Sequence, residues 1–220
     1  MSTRNTQALI QGIFSTDCLT NLEENIPLDI LRMVCENMKN NNGFQLDTIE
    51  NYLISKKETT YFDPTDGSVL VYSSPLIFAC LFDDYHYKTE ELIRHFASIT
   101  HNNKATVDVV IEYTNLLHDI FWQKLTKEEI LEILPELDIL EDEVPISSLA
   151  KDVFFTALWC FTMTDSYEQA CVKASKLDFN IPYIVEVTGA IAGLYYGLES
   201  IPTSWSIKAE DKYEFSKIIF

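Results

Sequence analysis

The sequence predicts an all-α protein in which residues 1–220 form a single compact domain of about nine to eleven helices. Apolar residues recur at helical spacing along almost the whole chain, and no set of alternating strand patterns competes with them. Of the 220 residues, 47% are apolar and 12% are aromatic, so the chain can bury a substantial core. Neither an internal repeat nor a linker divides it.

The first half of the chain carries apolar stripes that predict a series of helices. One helix is marked by Leu28, Leu31, Val34, Cys35 and Met38, and the glycine that follows an asparagine run, Gly43, is a typical stop signal. A shorter helix is marked by Ile49, Leu53 and Ile54, and a loop rich in turn residues follows it. Further helices are expected near 73–83, 89–99 and 105–124.

The second half contains clear helix-start signals. Thr126 and Glu129 have the spacing of a capping box, and Asp165 with Glu168 resembles a second one. Pro202 is expected at the first position of a short helix, because proline is favoured there. The longer helices of this half are predicted over 149–163, from the second capping box to 177, and over 184–199.

A strongly acidic segment, residues 128–143, contains no basic residue. Its structural interpretation is a solvated helix face and loop, and its functional interpretation is a docking site for a basic protein partner. The candidate docking residues are Glu128, Glu129, Glu132, Glu136, Asp138, Glu141, Asp142 and Glu143.

The overall charge excludes some function classes. A net charge of −18 argues against nucleic acid and anionic membranes as partners, since both attract clustered Lys and Arg. Five widely spaced cysteines indicate a reducing compartment rather than a disulfide framework. The N-terminal stretch lacks the apolar core of a signal peptide, and no apolar run is long enough to span a membrane. A soluble protein of the cytoplasm or another intracellular compartment is therefore expected.

Glycines at every fourth position of the last long helix, Gly189, Gly193 and Gly197, predict a stripe that lets another helix approach closely. With its flanks, the segment "TGAIAGLYYGLESIPTSW" resembles the C-terminal signature of the ADP-ribosylglycohydrolase family, which includes the dinitrogenase-reductase activating hydrolases. The segment "LAKDVFFTALWCFTMTDSYEQACVKASKL" is similar to the helix pair that precedes that signature. The combined match covers residues 149–205 and implies the all-α fold of the family.

Three weaker segments extend the resemblance in the same order along the chain. They are 8–20, with Asp17 at the aspartate of a Gly-Asp-Ala-Leu-Gly motif; 67–76, with Pro75 kept and Tyr72 at the arginine of an Asn-Gly-x-x-Met-Arg-x-x-Pro segment; and 98–103, with His101 in a Thr-His turn.

The resemblance implies cleavage of the glycosidic bond of ADP-ribosyl groups with two divalent metals, generally Mg²⁺ or Mn²⁺. The family's ligands come from a Thr-Asp-Asp-Thr motif opening an early helix and an Asp-x-Asp-Thr motif opening the late one. In register, these motifs fall on Asn25, Ile26, Pro27 and Leu28 and on Asn180, Ile181, Pro182 and Tyr183. Every metal-binding aspartate is therefore replaced, and two adjacent divalent ions need several carboxylates to offset their repulsion. We expect no metal cofactor.

Other acids could serve as substitutes, but their positions differ from those of the lost ligands. Glu23, Glu24 and Asp29 flank the early motif, whereas Asp178 and Glu186 flank the late one. Asp29 and Glu186 lie inside their helices, so their side chains point in other directions. A glycosidase without metal would need two carboxyl groups about 5–10 Å apart, and Asp17, Asp66 and Asp178 are the acids considered for such a pair.

Two hypotheses follow. The first is a catalytically inactive member of the family that binds a protein partner, ADP-ribose or an ADP-ribosylated target. The second is a hydrolase with altered metal or acid residues, which would use Mg²⁺ or Mn²⁺ only if its metal site had been rebuilt. The candidate residues of the ligand pocket are Asp17, Asn25, Asp66, Tyr72, His101, Asn180 and Tyr183.

Overall fold

The computed structural model describes residues 3–20, 22–82, 86–177 and 181–219. In these ranges the chain forms eleven α-helices and six 3₁₀ helices, and its sole β feature is an isolated bridge between Asp66 and Leu149. The predicted all-α class and the expected number of helices are confirmed. None of the described helices combines the length and apolarity that a membrane crossing requires.

The α-helices are α1 (Thr3–Ser15), α2 (Ile26–Asn41), α3 (Leu46–Lys57), α4 (Ser68–Ser73), α5 (His86–Thr100), α6 (Lys104–Trp122), α7 (Lys127–Ile133), α8 (Ala150–Thr162), α9 (Tyr167–Leu177), α10 (Pro182–Tyr196) and α11 (Thr203–Tyr213). The 3₁₀ helices are Thr16–Leu19, Ser74–Phe82, Pro135–Leu137, Glu141–Glu143, Leu198–Ser200 and Phe215–Lys217. Helix α10 is the central element, packed against α1, α8 and α9.

The contact between α1 and α10 depends on three glycines. A Cβ atom built on Gly12 would lie 2.5 Å from the carbonyl oxygen of Gly189, and one built on Gly193 would lie 2.5 Å from that of Ala8. Because the colliding atoms are backbone, a methyl group at either position would force the helices apart. The predicted stripe is thus correct for Gly189 and Gly193. It is wrong for Gly197, which has φ +83° and follows the end of α10, and a Cβ built there would meet no atom of the described residues within 4 Å.

The segment expected to be one helix over 73–83 is instead a short α-helix followed by a 3₁₀ helix. Helix α4 begins earlier, at Ser68, and the 3₁₀ helix starts at Ser74. Pro75 explains the change, because it has no N–H to donate to the carbonyl of Val71. The prediction for α3 also needs one correction, since Ile54 is 49% exposed while Ile49 and Leu53 are buried.

Several helix ends differ slightly from their predicted signals. Asn42, rather than the glycine after it, takes the left-handed position after α2, with φ 50°. Ser166, rather than Asp165, caps α9, because its Oγ accepts a bond from the backbone N–H of Gln169. Pro202 lies one residue before the first residue of α11. The capping box at the start of α7 is confirmed.

Candidate functional site

The two Asn-Ile-Pro segments begin the helices that the family resemblance assigns to metal binding. Asn25 is the N-cap of α2, and its Oδ1 accepts a bond from the backbone N–H of Leu28 at 3.2 Å. At α10, Ile181 is the N-cap and Pro182 the first helical residue, and both are buried. The opening of α2 therefore presents apolar side chains and an amide already used as a cap, whereas the described part of the α10 opening presents apolar side chains and no side-chain cap.

Asn25 also connects the two helices. Its Nδ2 donates a bond of 2.5 Å to Oε1 of Glu186, one turn into α10, and both residues are buried. Burial raises the pKa of Glu186 to about 7, the negative charge of Asp17 acts in the same direction, and the bond from Asn25 opposes it. Glu186 is thus the residue of α10 that contacts the start of α2, although its position inside α10 argues against its serving as a substitute metal ligand.

Three charged or polar side chains from two other segments interact electrostatically with Glu186. Asp17, in the 3₁₀ helix after α1, accepts a bond of 2.8 Å from Lys212 Nζ on α11. The next residue on α11, Tyr213, is buried, and the pKa of its hydroxyl is raised first by burial and then by the charge of Asp17. We call Asp17, Asn25, Glu186, Lys212 and Tyr213 the Glu186 cluster.

A second buried network lies around His101, just after α5. The imidazole is fully buried, and its Nε2 lies 3.0 Å from Oδ1 of Asp66. Its Nδ1 lies 2.9 Å from Oγ1 of Thr100 and 3.3 Å from the hydroxyl of Tyr72. Tyr72 and Thr100 are themselves bonded at 2.8 Å. We call Asp66, Ser68, Tyr72, Thr100 and His101 the His101 network.

The His101 network pairs both ring nitrogens. A carboxylate only accepts, so Nε2 donates to Asp66, and Nδ1 is paired with the hydroxyl of Thr100. Ser68 Oγ lies 3.3 Å from the same Nε2. In a Ser-His-Asp relay the serine and the acid contact opposite ring nitrogens, whereas here both approach one nitrogen. The arrangement therefore orders the loop before α4 and does not activate a serine.

Tyr183 is influenced by charges from both groups, those of Asp66 and Glu186. It is the second residue of α10 and is partly buried. Burial raises its pKa to about 12, with the negative charges of Asp66 and Glu186 acting in the same direction. Its phenol therefore stays neutral in the physiological range.

The structure sorts the predicted pocket residues into these two groups. His101 contacts both Asp66 and Tyr72. Asp17 and Asn25 belong to the Glu186 cluster. Asn180 and Asp178 lie outside the described residues. Sequence reasoning missed Ser68, Thr100, Lys212 and Tyr213. Glu186 carried a detectable signal, because it is the only charged residue of the otherwise apolar α10.

The described residues do not fit a pair of divalent metals. Hard cations require ionised oxygen ligands, but Ile26, Pro27 and Pro182 have no side-chain oxygen. Both polar atoms of the Asn25 side chain are already hydrogen-bonded, Oδ1 to the N–H of Leu28 and Nδ2 to Glu186. Within the described ranges, no group of three His, Cys, Asp or Glu side chains is arranged to hold a metal ion.

The acidic segment occupies α7 and the two 3₁₀ helices that follow it. All eight predicted docking residues are exposed. Three have local contacts: Glu129 completes the capping box, Glu143 accepts from the backbone N–H of Leu140, and Glu141 pairs with Lys173 at 2.7 Å. The other five form no ion pair with any described residue, and exposed Ile133 and Leu140 lie among them.

Comparison with known proteins identifies the family. A model of the family described as ADP-ribosylglycohydrolase matches residues 22–219. ADP-ribosylarginine hydrolase Tri1 of Serratia proteamaculans (strain 568) is 30% identical over 77 residues, which are 35% of this chain and 21% of that protein. The match thus spans about a fifth of that relative's length.

A solved structure described as "ADP-ribosylglycohydrolase-related protein complex" shares the fold. It aligns with a TM-score of 0.75 at 17% identity and covers 99% of both chains. At this identity the likeness concerns the fold alone. The family model, however, matches most of the sequence, including both helix openings and α11. The chain therefore belongs to the ADP-ribosylglycohydrolase family.

Proposed function

We propose that this protein is a member of the ADP-ribosylglycohydrolase family that acts by binding a protein partner, including one that carries ADP-ribose, and does not cleave the glycosidic bond. One observation carries the proposal: the helix openings that should supply metal ligands present Ile26, Pro27 and Pro182, while Asn25 is committed to Leu28 and Glu186. Two divalent ions could not be held there without several carboxylates.

The proposed ligand surface combines Tyr183 with the edge of the His101 network. Tyr183 offers an aromatic face on which a base or another flat group can stack. Asp66 is partly exposed, with a side chain 15% accessible, so its second oxygen can accept bonds from ligand hydroxyls. These groups suit recognition of a nucleotide sugar, because the ring can stack on its base and the carboxylate can accept bonds from its hydroxyl groups.

The decisive experiment combines metal binding with turnover. Chain treated with a chelator is titrated calorimetrically with Mn²⁺ and Mg²⁺, and release of ADP-ribose is measured on ADP-ribosyl-arginine and ADP-ribosyl-serine substrates. We expect neither a binding heat nor release, while an active ADP-ribosylarginine hydrolase serves as the positive control. Release that depends on Mn²⁺ or Mg²⁺ would refute the proposal.

Ligand binding is tested separately with free ADP-ribose. We expect a saturable isotherm that Tyr183→Ala weakens about tenfold or more through the lost ring contact. Tyr52→Ala, on α3, is the matched control and should bind like the unmodified chain. Equal affinity of all three proteins would exclude Tyr183 from the site.

The acidic segment, residues 128–143, is the surface that we propose for a basic protein partner. Its eight carboxylates are exposed, and long-range attraction between charged surfaces falls steeply as salt is added. Once a basic protein partner has been identified, its affinity for this protein should fall as the salt concentration is raised. It should also drop when Glu128, Glu132 and Glu136 are changed to Gln. If neither the added salt nor the three substitutions change the affinity, the interface lies elsewhere.

A hydrolase remains the second candidate because the matched segment of a relative belongs to an ADP-ribosylarginine hydrolase. This function would have to use acids such as Asp17, Asp66 or Asp178. Alanine replacement separates the two candidates: an enzyme loses its measured turnover, whereas a binding protein loses affinity at most.

A further inference from the structure

The Glu186 cluster contains three buried oxygens without a hydrogen-bond partner. They are Oε2 of Glu186, Oδ1 of Asp17 and the hydroxyl of Tyr213. Glu186 is fully buried and Tyr213 is 4% exposed. A buried polar atom left unpaired costs about 1–3 kcal/mol. Tyr213 has its own hydroxyl hydrogen and interacts with Asp17, so the oxygen that lacks a hydrogen is Oε2 of Glu186.

The charges of the cluster do not balance if both acids are ionised. The ammonium of Lys212 contacts the Asp17 carboxylate at 2.8 Å and neutralises it. Glu186 receives a bond from the neutral amide of Asn25 and forms no ion pair with any described residue. A buried carboxylate without a counter-ion is costly enough that it takes up a proton instead.

We propose that Glu186 is protonated in the folded protein in mildly acidic solution, so that the junction of α10 with α2 contains no uncompensated buried charge. Asn25 then joins the two helices by donating to a neutral carboxyl group. Raising the pH removes the proton and leaves a buried negative charge at this junction. The junction is thus a built-in pH-sensitive contact, independent of the ligand bound by the protein.

The groups that act on Glu186 come from several elements. Asp17 raises its pKa, and Asn25 and Lys212 lower it, while burial is the largest cause of the raised value of about 7. Tyr183 and Tyr213 are in turn affected by the charge of Glu186. Buried titratable residues of the neighbouring helices have pKa values raised by burial and stay neutral between pH 4 and 9; they are Tyr72, Tyr113, Cys160, Tyr167 and Cys171.

The direct test is a ¹³C NMR titration of the full chain labelled at the glutamate carboxyl carbon. One glutamate resonance should titrate with a midpoint near 7, and this resonance should disappear in Glu186→Gln. A Glu186 resonance with a midpoint below 5 would overturn the proposal. The unmodified chain alone already provides this readout, so the test does not require the variant to fold.

The second measurement is urea unfolding between pH 5.5 and 8.5. The urea midpoint of the unmodified chain should fall as the pH rises, and Glu186→Gln should remove most of that fall because glutamine mimics the protonated acid. Glu132→Gln, on the exposed face of α7, should keep the slope of the unmodified chain. Equal slopes in all three proteins would contradict the proposal, whatever the outcome of the ligand and turnover assays.

Discussion

The His101 network and the Glu186 cluster are both buried, but only the Glu186 cluster leaves buried side-chain oxygens unpaired among the described residues. Around His101, both ring nitrogens have partners at 2.9–3.3 Å. Around Glu186, the second carboxyl oxygen has no partner and no cation of the described ranges pairs with the acid. A paired network stabilises the fold, whereas a buried acid without a counter-ion makes stability depend on its protonation.

The largest effect is expected from His101→Ala. The change leaves Asp66, Tyr72 and Thr100 partly unpaired in the core, which should cost about 3 kcal/mol of unfolding free energy. Urea unfolding at pH 7 measures it. His95→Ala on the exposed side of α5 is the control and should cost less than about 0.5 kcal/mol. A cost below 1 kcal/mol for His101→Ala would show that the network is dispensable.

The pH dependence of the unmodified chain should be nearly as large. The folded pKa of Glu186, about 7, lies above the ordinary value of 4.5. The stability from its proton is therefore fully present below pH 4.5 and is lost as the pH rises through about 7, by roughly 3 kcal/mol in total. Chemical unfolding measured at several pH values checks this loss. A stability that rises between pH 5 and 8 would have the wrong sign.

Tyr72→Phe should have a smaller effect. The hydroxyl of Tyr72 is bonded to Thr100 at 2.8 Å, yet Thr100 can still donate to His101 when the hydroxyl is gone. The expected loss is about 1 kcal/mol, measured by thermal and urea unfolding. A loss equal to that of His101→Ala would mean that Tyr72, rather than the imidazole, holds the network together.

Asp17→Asn should change the titration of Glu186 more than the stability. Removing the negative charge of Asp17 and releasing Lys212 both favour an ionised Glu186, so its midpoint should fall by about one pH unit. The ¹³C NMR titration measures the shift. Asp108→Asn on α6 serves as the control and should leave the midpoint unchanged. A rise of the midpoint in Asp17→Asn would contradict the assigned electrostatics.

Helical periodicity and cap residues were sufficient to predict most of the fold. The α2 stripe and the Thr126 capping box depend on neighbours within one or two turns, so the sequence shows them directly. The difference at 73–83 has the same local origin, because Pro75 lacks the N–H that a continuous α-helix needs. The stripe prediction fails at Gly197 because glycine spacing cannot show where a helix ends, and α10 ends at Tyr196.

The contacts of the candidate site could not be predicted from local sequence patterns. The Asp66–His101 contact joins positions 35 residues apart, and the Asn25–Glu186 contact joins positions 161 apart. Nothing local indicates that either pair meets. The two Asn-Ile-Pro segments nevertheless lie where both helices begin, at Ile26 of α2 and Pro182 of α10.

The sequence by itself determined the all-α class and the family, and it places Ile26, Pro27 and Pro182 at the two helix openings, because these follow from residue identity and short-range spacing. The tertiary structure alone decided that Glu186 fills the space facing Asn25, that Lys212 is committed to Asp17, and that His101 lies in a saturated network. Burial and counter-ions arise only when distant segments pack together, and they set the charge that each buried acid can carry.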